Sequence, residues 1–197
     1  MAKGSNDIIL RDRLQFTVDS TGDSSLVYGR IDLSDYVSIP DNKGLAIKEV
    51  RFMIRDPTNE LGQLPPFPLT SNASAIGNNT EGGIKVFATT TAFEDVRDVG
   101  IASPNVLCVY ELKAYIFTDN GTTFVDTGVL EHFYGAPDLH PEGFDIVTDL
   151  LIGVAVKNFD HSATEDSNLE LDVMLIAEPK KITQKDLTQM LTQAQDL

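Results

Sequence analysis

The chain has 197 residues, of which 42% are apolar and 23% charged, so it can bury one sizeable core and is not a disordered chain. Its formal net charge is −15, from 15 basic and 30 acidic residues, and without a cluster of Lys and Arg we expect no direct binding of nucleic acid. No apolar run approaches the roughly 20 residues of a membrane-spanning helix, and Arg11 interrupts the N-terminal segment, so we expect neither a transmembrane segment nor a signal peptide. The single cysteine, Cys108, excludes an intrachain disulfide.

Apolar and polar residues alternate along most of the chain, which is the pattern of half-buried β-strands. The clearest example is residues 169–175, where every second residue is Leu or Val. Two runs, residues 106–117 and 150–156, are apolar on both faces, which predicts central strands covered on both sides or packed against another subunit. The predicted strands span residues 8–18, 26–33, 45–55, 84–91, 106–118, 123–134, 146–157 and 168–177.

Asn120-Gly121 predicts a tight hairpin, because this dipeptide accepts the positive φ angles of a type I′ turn. It lies between two apolar runs, so we expect residues 106–118 and 123–134 to pair as neighbouring strands. Turns rich in Gly, Asp, Asn and Pro separate the other predicted strands.

The segment from Asp56 to Gly83 contains four prolines and a small polar stretch, so no regular strand continues through it. Its apolar residues need cover, and a loop of this length commonly serves a contact surface. An irregular crossover packed on its own domain explains the segment at least as well, so both interpretations stay open. The apolar residues concerned are Leu61, Leu64, Phe67 and Leu69.

The C-terminus carries the one helical pattern of the sequence. Thr183 is placed to cap the first turn, and Asp186 can reach back to it in the manner of a capping box. Leu187, Met190 and Leu191 then fall on one stripe. The stripe is narrow, which favours a helix folded onto its own domain; a helix docked on a neighbouring subunit is the alternative.

The histidines form no recognisable metal site. His132 and His140 are separated by a loop with Gly and Pro, and neither they nor His161 form the H-x-H pair that a metal-binding barrel typically uses. An acidic turn could ligate calcium, but it lacks the spacing of a calcium loop, so we expect a solvated turn. Its oxygen-bearing residues are Asn158, Asp160, Glu165 and Asp166.

Nucleophilic and cofactor-binding motifs are missing as well. Cys108 lies in an apolar strand with no local cation or helix N-terminus to activate it, which favours a buried hydrophobic role. The sequence holds no Gly-x-Ser-x-Gly elbow, no phosphate-binding Gly-x-x-x-x-Gly-Lys and no dinucleotide fingerprint. We therefore expect no catalytic residue, cofactor or metal, that is, a protein that is not an enzyme.

Together, the strands and the long proline-rich connection predict an all-β fold. We expect an antiparallel eight-stranded β-sandwich, with jelly-roll topology preferred, and a short C-terminal α-helix. Residues 1–180 would form the single sandwich domain, with its long loop at 56–83, and residues 181–197 would form the helical tail.

Residues 7–177 resemble the small single jelly-roll major capsid proteins of icosahedral viruses that enclose an internal membrane. The resemblance rests on the strand spacing, on the stretch Gly29–Leu33 leading to Leu45–Arg55, and on the long loop after it. It implies a self-assembling major capsid subunit that tiles with copies of itself into capsomers, with a second capsid protein or the membrane as further partners. It also implies a virion location after assembly in the host cytoplasm, and it suits the missing basic arm.

We expect the contacts between subunits to use the long loop and the helix. Two other functions stay open: a carbohydrate-binding module using Phe67, Tyr134 and Phe144, which the lack of any Trp disfavours, and a cupin-like metalloenzyme, which the missing H-x-H pattern disfavours. The expected interface residues are Leu61, Leu64, Phe67, Leu69, Leu187, Met190 and Leu191.

Overall fold

The computed structural model describes residues 6–63, 80–119, 123–135, 142–159 and 167–193. These residues form nine strands, one α-helix and a single turn of 3-10 helix at Val96–Asp98. The strands are β1 (Ile8–Val18), β2 (Ser24–Ile31), β3 (Lys43–Arg55), β4 (Thr80–Thr89), β5 (Val106–Asp119), β6 (Thr123–Tyr134), β7 (Phe144–Ile146), β8 (Leu150–Lys157) and β9 (Ser167–Lys181), and the helix is α1 (Gln184–Gln193).

The strands form two antiparallel sheets, ordered β1-β9-β3-β7 and β2-β8-β4-β5-β6. The chain crosses from one sheet to the other at every connection except the hairpins β4–β5 and β5–β6. The pairs β1–β9, β2–β8, β3–β7 and β4–β5 therefore nest inside one another, which is the winding of a jelly roll. The predicted sandwich fold is confirmed, with β6 added at the edge of the larger sheet.

The single strand predicted at residues 146–157 is wrong. The segment forms two strands in different sheets, β7 and β8, and this raises the number of strands from eight to nine. Between them the carboxylate of Asp149 accepts the backbone N–H of Leu33 at 3.0 Å and pairs with Arg30, which holds the chain at the corner. Ile146 and Leu150, on either side of the corner, are both buried. The sequence pattern therefore does not show where one strand ends and the next begins.

Two of the other predicted strands match the structure, and the rest differ from it at one or both ends. β1 and β6 have the predicted bounds, while β4 begins at Thr80 and β9 continues to Lys181. β5 and β6 pair as a hairpin up to Asp119 and Thr123, as Asn120-Gly121 predicts, and the turn itself lies outside the described residues.

The main core lies between the two sheets. The alternating residues of β9 point into it, and those of β4 and β8 meet them from the other sheet. Burying each of these large apolar side chains contributes on the order of 1.5–3 kcal/mol. The most deeply buried of them include Leu45, Ile47, Ile84, Ile152, Leu169, Leu171 and Leu175.

A second, smaller core covers the outer face of the five-stranded sheet. The β4–β5 connection folds back over this face and buries Phe87 and Val109 beneath Val99. The rings of Phe87 and Phe93 meet edge to face, with centroids 6.5 Å apart. The Tyr28 hydroxyl accepts the backbone N–H of Phe93 at 2.7 Å and fixes the connection. The beginning of β5, around Val109, is thereby covered on both sides, whereas Lys113 farther along its outer face is 55% exposed.

Gly153 is required by this second core, since a Cβ built there would lie 2.2 Å from Cζ of Phe87. Gly153→Ala is expected to destabilise the fold by about 1–3 kcal/mol, because the Phe87 ring must leave its site. Thermal unfolding measures the change. Gly100→Ala is the matched control, because its nearest neighbour would be Ser103 Oγ at 3.9 Å, and an equal loss in both variants would contradict the packing argument.

The helix α1 has the predicted N-cap and packs on its own sandwich. Thr183 Oγ1 accepts the N–H of Asp186 at 3.2 Å, and it donates to the Asp186 carboxylate at 2.6 Å. Leu187 is buried in a small cluster with Val147 and Ile182.

Leu187→Asp is expected to destabilise the folded chain by about 3 kcal/mol, because it places a carboxylate in this apolar cluster. The measurement is the midpoint of urea unfolding. Gln184→Asp, exposed on the same helix, is expected to change stability by less than about 0.5 kcal/mol. An unchanged midpoint for Leu187→Asp would show that the helix does not depend on this cluster.

Candidate functional site

The outer face of the four-stranded sheet concentrates arginine. β9 lies between β1 and β3, so that Arg11, Met174 and Arg51 form one row across the sheet. Arg13, Asp172 and Met53 form the next row. Four of the six arginines in the chain lie on this face: Arg11, Arg13, Arg51 and Arg55.

Ion pairs hold the centre of this face together. Arg13 Nε lies 2.6 Å from Asp172 Oδ1 and 3.5 Å from Glu170 Oε2. Arg55 approaches the same two carboxylates from β3, at 3.6 Å from each. The hydrogen bond with Asp172 raises the pKa of Arg13 above its ordinary value. Glu170 and Asp172 of β9 are therefore neutralised from within the chain, and Glu170 is buried although it faces outward.

A similar clamp ties the beginning of the chain to this face. Lys48 Nζ donates to Asp7 Oδ1 at 2.7 Å and lies 2.6 Å from Glu178 Oε2. These two carboxylates raise the pKa of Lys48, so the amine stays charged across the neutral range. The clamp joins β3 and β9 to the residue that precedes β1.

Apolar side chains remain exposed among these charges. Met53 is 55% exposed and Ile9 is also exposed, and Met174 is half-buried between them and the arginines. The face forms a depression of about 640 Å³ that Arg11, Arg51 and Met174 line together with Met53. Met and Arg are enriched at protein–protein interfaces, so this composition indicates a contact surface.

A cleft of about 780 Å³ lies on the other side of the molecule, over the outer face of the five-stranded sheet. Three lysines line it, and each has a partner within the chain. Lys113 pairs with Glu111 at 2.8 Å, and this contact raises its pKa. Lys157 pairs with Asp23, and Lys85 donates to the carbonyl oxygens of the covering connection. The lysines of the cleft are therefore held by contacts within the chain that stabilise the fold.

The predicted interface residues lie in different environments. Leu61 is 78% exposed in the turn after β3, whereas Leu187 is buried inside its own chain. Leu64, Phe67 and Leu69 lie outside the described residues, as do the side chains of Met190 and Leu191. Among them, only Leu61 is described with an exposed side chain.

The histidines and the acidic turn are only partly described. His132 lies on β6 and stacks on Tyr134, with ring centroids 5.8 Å apart, while His140 and His161 lie outside the described residues. Asn158 donates its backbone N–H to Asp23 and its side-chain amide to the Glu81 carbonyl. Asp160, Glu165 and Asp166 lie outside the described residues.

Within the described ranges, no group of three or more His, Cys, Asp or Glu residues is placed to hold a metal ion. No helix in those ranges has the length and apolarity that crossing a membrane requires.

The exposed aromatic residues do not form a joint platform. Tyr134 ends β6 in the larger sheet, and Phe144 begins β7 in the smaller one. Both rings are exposed, and no ring contact joins them among the described residues. Phe67 lies outside those residues.

Sequence reasoning missed the arginine face and the exposed edge at β6. Arg51 and Arg55 are far in sequence from Arg11 and Arg13, and β9 lies between them in space. The available signal was their spacing of two and four residues within alternating strands, which places each pair on one face. β6 gave no signal, because its pattern does not distinguish an edge strand from a central one.

Compared with known proteins, the chain matches no established protein family and no curated protein. One solved structure to which it is similar is VP1 of Trichodysplasia spinulosa-associated polyomavirus in complex with sialylated precision glycooligomers. The comparison covers 91% of this chain and 96% of that chain, at 8% sequence identity and a TM-score of 0.27. At these values no residue role passes from that protein to this chain.

Burial in the core raises the pKa of the Cys108 thiol to about 12, from an ordinary value of 9.0. At pH 8 the native chain is expected to react with a thiol reagent about a thousandfold more slowly than the unfolded chain, because its thiolate population falls by that factor. Absorbance of the released chromophore follows the reaction. A cysteine placed at exposed position 101, Ile101→Cys, supplies the fast control, and equal rates at both sites would contradict the buried placement of Cys108.

Proposed function

We propose that this chain is a structural subunit that assembles with copies of itself into a viral capsid. The single observation that carries the proposal is the outer face of the four-stranded sheet, where Met53 is exposed between Arg51 and Arg55 on β3 and Ile9 is exposed two residues before Arg11 on β1. Large apolar side chains grouped on an outer face favour contact with another protein. The role is structural, and the chain acts by fitting against its neighbours rather than by catalysis.

Electrostatics favours contact between copies at this face. The outward charges of the four-stranded sheet nearly cancel, with six basic and five acidic residues, although the whole chain has a net charge of −15. At low salt the acidic surfaces of two copies repel one another. A face whose charges nearly cancel adds little to this repulsion. The charged residues are Arg11, Arg13, Lys48, Arg51, Arg55 and Lys180 against Glu49, Asp145, Glu170, Asp172 and Glu178.

The fold supports the proposal without deciding it. Jelly rolls form viral shells, but lectins and cupins use the same architecture. The resemblance of residues 7–177 to single jelly-roll major capsid proteins favours the first of these roles. On this proposal the chain resides in the virion after assembly in the host cytoplasm. A second capsid protein or an internal membrane is its further partner.

Electron microscopy of the purified protein at high concentration, over a range of salt, tests the proposal. We expect shells, or regular capsomers whose mass is a multiple of 21.5 kDa. Higher salt is expected to promote assembly, because it screens the repulsion between acidic surfaces. A strict monomer at every salt concentration would refute the proposal.

Met53→Asp is expected to reduce assembly at least about tenfold, since it places a negative charge at the centre of the arginine face. The melting temperature should stay within about 1 °C of the wild type, because the side chain is 55% exposed. Light scattering during assembly gives the readout.

The matched control for that variant is Ile101→Asp, at a side chain that is 71% exposed in the β4–β5 connection. It adds the same charge away from the arginine face. Equal assembly by Met53→Asp and the wild type would remove this face from the contact. Equal loss in both variants would indicate that net charge alone is responsible.

Carbohydrate binding is the second candidate. The stacked rings of His132 and Tyr134 present an exposed aromatic surface on β6, with an interplanar angle of 9°, and sugar faces stack on such surfaces. A glycan array with the wild type and Tyr134→Ala distinguishes the two functions. Specific binding lost in the variant would favour the carbohydrate-binding module.

A further inference from the structure

β6 is an unusually long edge strand. It spans 12 residues, about twice the usual length of a strand, and it pairs with β5 alone. Within the described part of the chain, the other edge of β6 has no strand beside it. A bare edge of this length offers a row of backbone donors and acceptors to another strand.

The other sheet edges carry protection that is weaker along the second half of β6. β1 has three consecutive charged residues, Arg11–Arg13, at its centre. β2 has an irregular register between Ser24 and Val27, and β7 has only three residues. Such charges, bulges and short strands are the usual means of blocking edge-to-edge pairing. β6 has a register shift of its own between Phe124 and Asp126 and carries two acidic residues, but it contains no Lys, Arg or Pro, and from Asp126 to Tyr134 its register with β5 is regular.

Both faces of β6 also leave apolar side chains in solvent. Val129, on the face turned toward the other sheet, is 55% exposed, and Leu130, on the outer face, is 45% exposed. Their neighbours on β5 are Ala114, which is buried, and Lys113. The larger sheet has one strand more than the smaller one, so this part of β6 extends past the sandwich.

We propose that two copies of the chain join through β6, strand to strand and antiparallel, to form one continuous ten-stranded sheet. The proposal deepens the proposed function, because it names the first contact by which copies assemble. A second copy is the fitting occupant, since a two-fold axis brings each bare edge against an identical bare edge. The regular stretch Asp126–Tyr134 holds two acidic residues, Asp126 and Glu131, and no Lys or Arg, so repulsion between the copies remains at low salt and higher salt is expected to favour the contact.

The register of this pairing follows from symmetry. In an antiparallel pair, residues directly opposite each other point to the same face, so a two-fold axis through the sheet must place one residue opposite its own copy. The regular stretch Asp126–Tyr134 pairs over its full length only if that residue is its midpoint, Leu130. Glu131 then lies opposite Val129 of the second copy, which separates the two Glu131 carboxylates.

Disulfide formation tests this register. In a Cys108→Ala background, Leu130→Cys is expected to give a covalent dimer under mild oxidation, because directly opposite Cα atoms lie about 4.5–5.5 Å apart. Val129→Cys and Glu131→Cys are matched controls. Each lies about 8 Å from its own copy, too far for a disulfide. Mixing these two controls should produce a heterodimer, since positions 129 and 131 face each other.

The three cysteine variants together decide whether β6 pairs in this register. Crosslinking of Leu130→Cys, without self-crosslinking of the two controls, supports the pairing. No crosslinked dimer from Leu130→Cys, or an equal yield from all three variants, would overturn it. Non-reducing gel electrophoresis and intact mass give the readout.

Association in solution tests the same edge without oxidation. We expect the wild type to be dimeric by light scattering, and Leu130→Lys to weaken the dimer at least about tenfold while keeping the wild-type melting temperature. Ile101→Lys adds the same charge in the β4–β5 connection, at a side chain that is 71% exposed against 45% for Leu130, and should remain dimeric. A wild type that stays monomeric at high micromolar concentration, or a Leu130→Lys variant with unchanged affinity, would refute β6 pairing.

Microscopy separates this inference from the proposed function. If the wild type forms the β6 dimer but never a shell, the pairing stands and the capsid proposal fails. If shells form equally well with Leu130→Lys and no Leu130→Cys crosslink appears, the capsid proposal stands and the pairing fails.

Discussion

The structure depends on β9, the strand that lies between β1 and β3. Every second side chain of β9 is buried in the core between the sheets, and the residues between them meet arginines from both neighbours. One strand thus joins the main apolar core to the main charge network. Both networks depend on the same alternation along β9. A shift of its pairing register by one residue would therefore disrupt the apolar core and the ion pairs together.

The charges on the outer face of the four-stranded sheet are paired, so that the sheet can cover the core on one side and contact another copy on the other. Glu170 and Asp172 of β9 are neutralised by Arg13 and Arg55, and Glu178 is paired with Lys48. Met53 is therefore exposed on a face with almost no net charge. Such exposed ion pairs add little to stability. Their more important effect is to remove repulsion between copies of an acidic chain at the face where contact is proposed.

The sandwich and the approximate positions of most strands could be predicted because alternation is a local property. Every second residue of β9 is apolar whatever lies opposite, and β1 and β6 have the bounds that the pattern indicates. The corner at Asp149 could not be predicted, because both strands beside it are apolar and the carboxylate finds its partners, Leu33 and Arg30, more than a hundred residues away. The candidate surfaces were missed for the same reason, since Arg11 and Arg51 share a face only through β9.

By itself, the sequence determined an antiparallel sandwich with a capped C-terminal helix, since alternation, turn residues and capping residues act over a few neighbours. The tertiary structure alone decided that Leu187 is buried in its own chain, whereas Leu130 and Met53 are exposed. Burial depends on which strand or loop covers a residue. That is set by strand order and by the number of strands in each sheet, and neither is written in the spacing of residues along one strand.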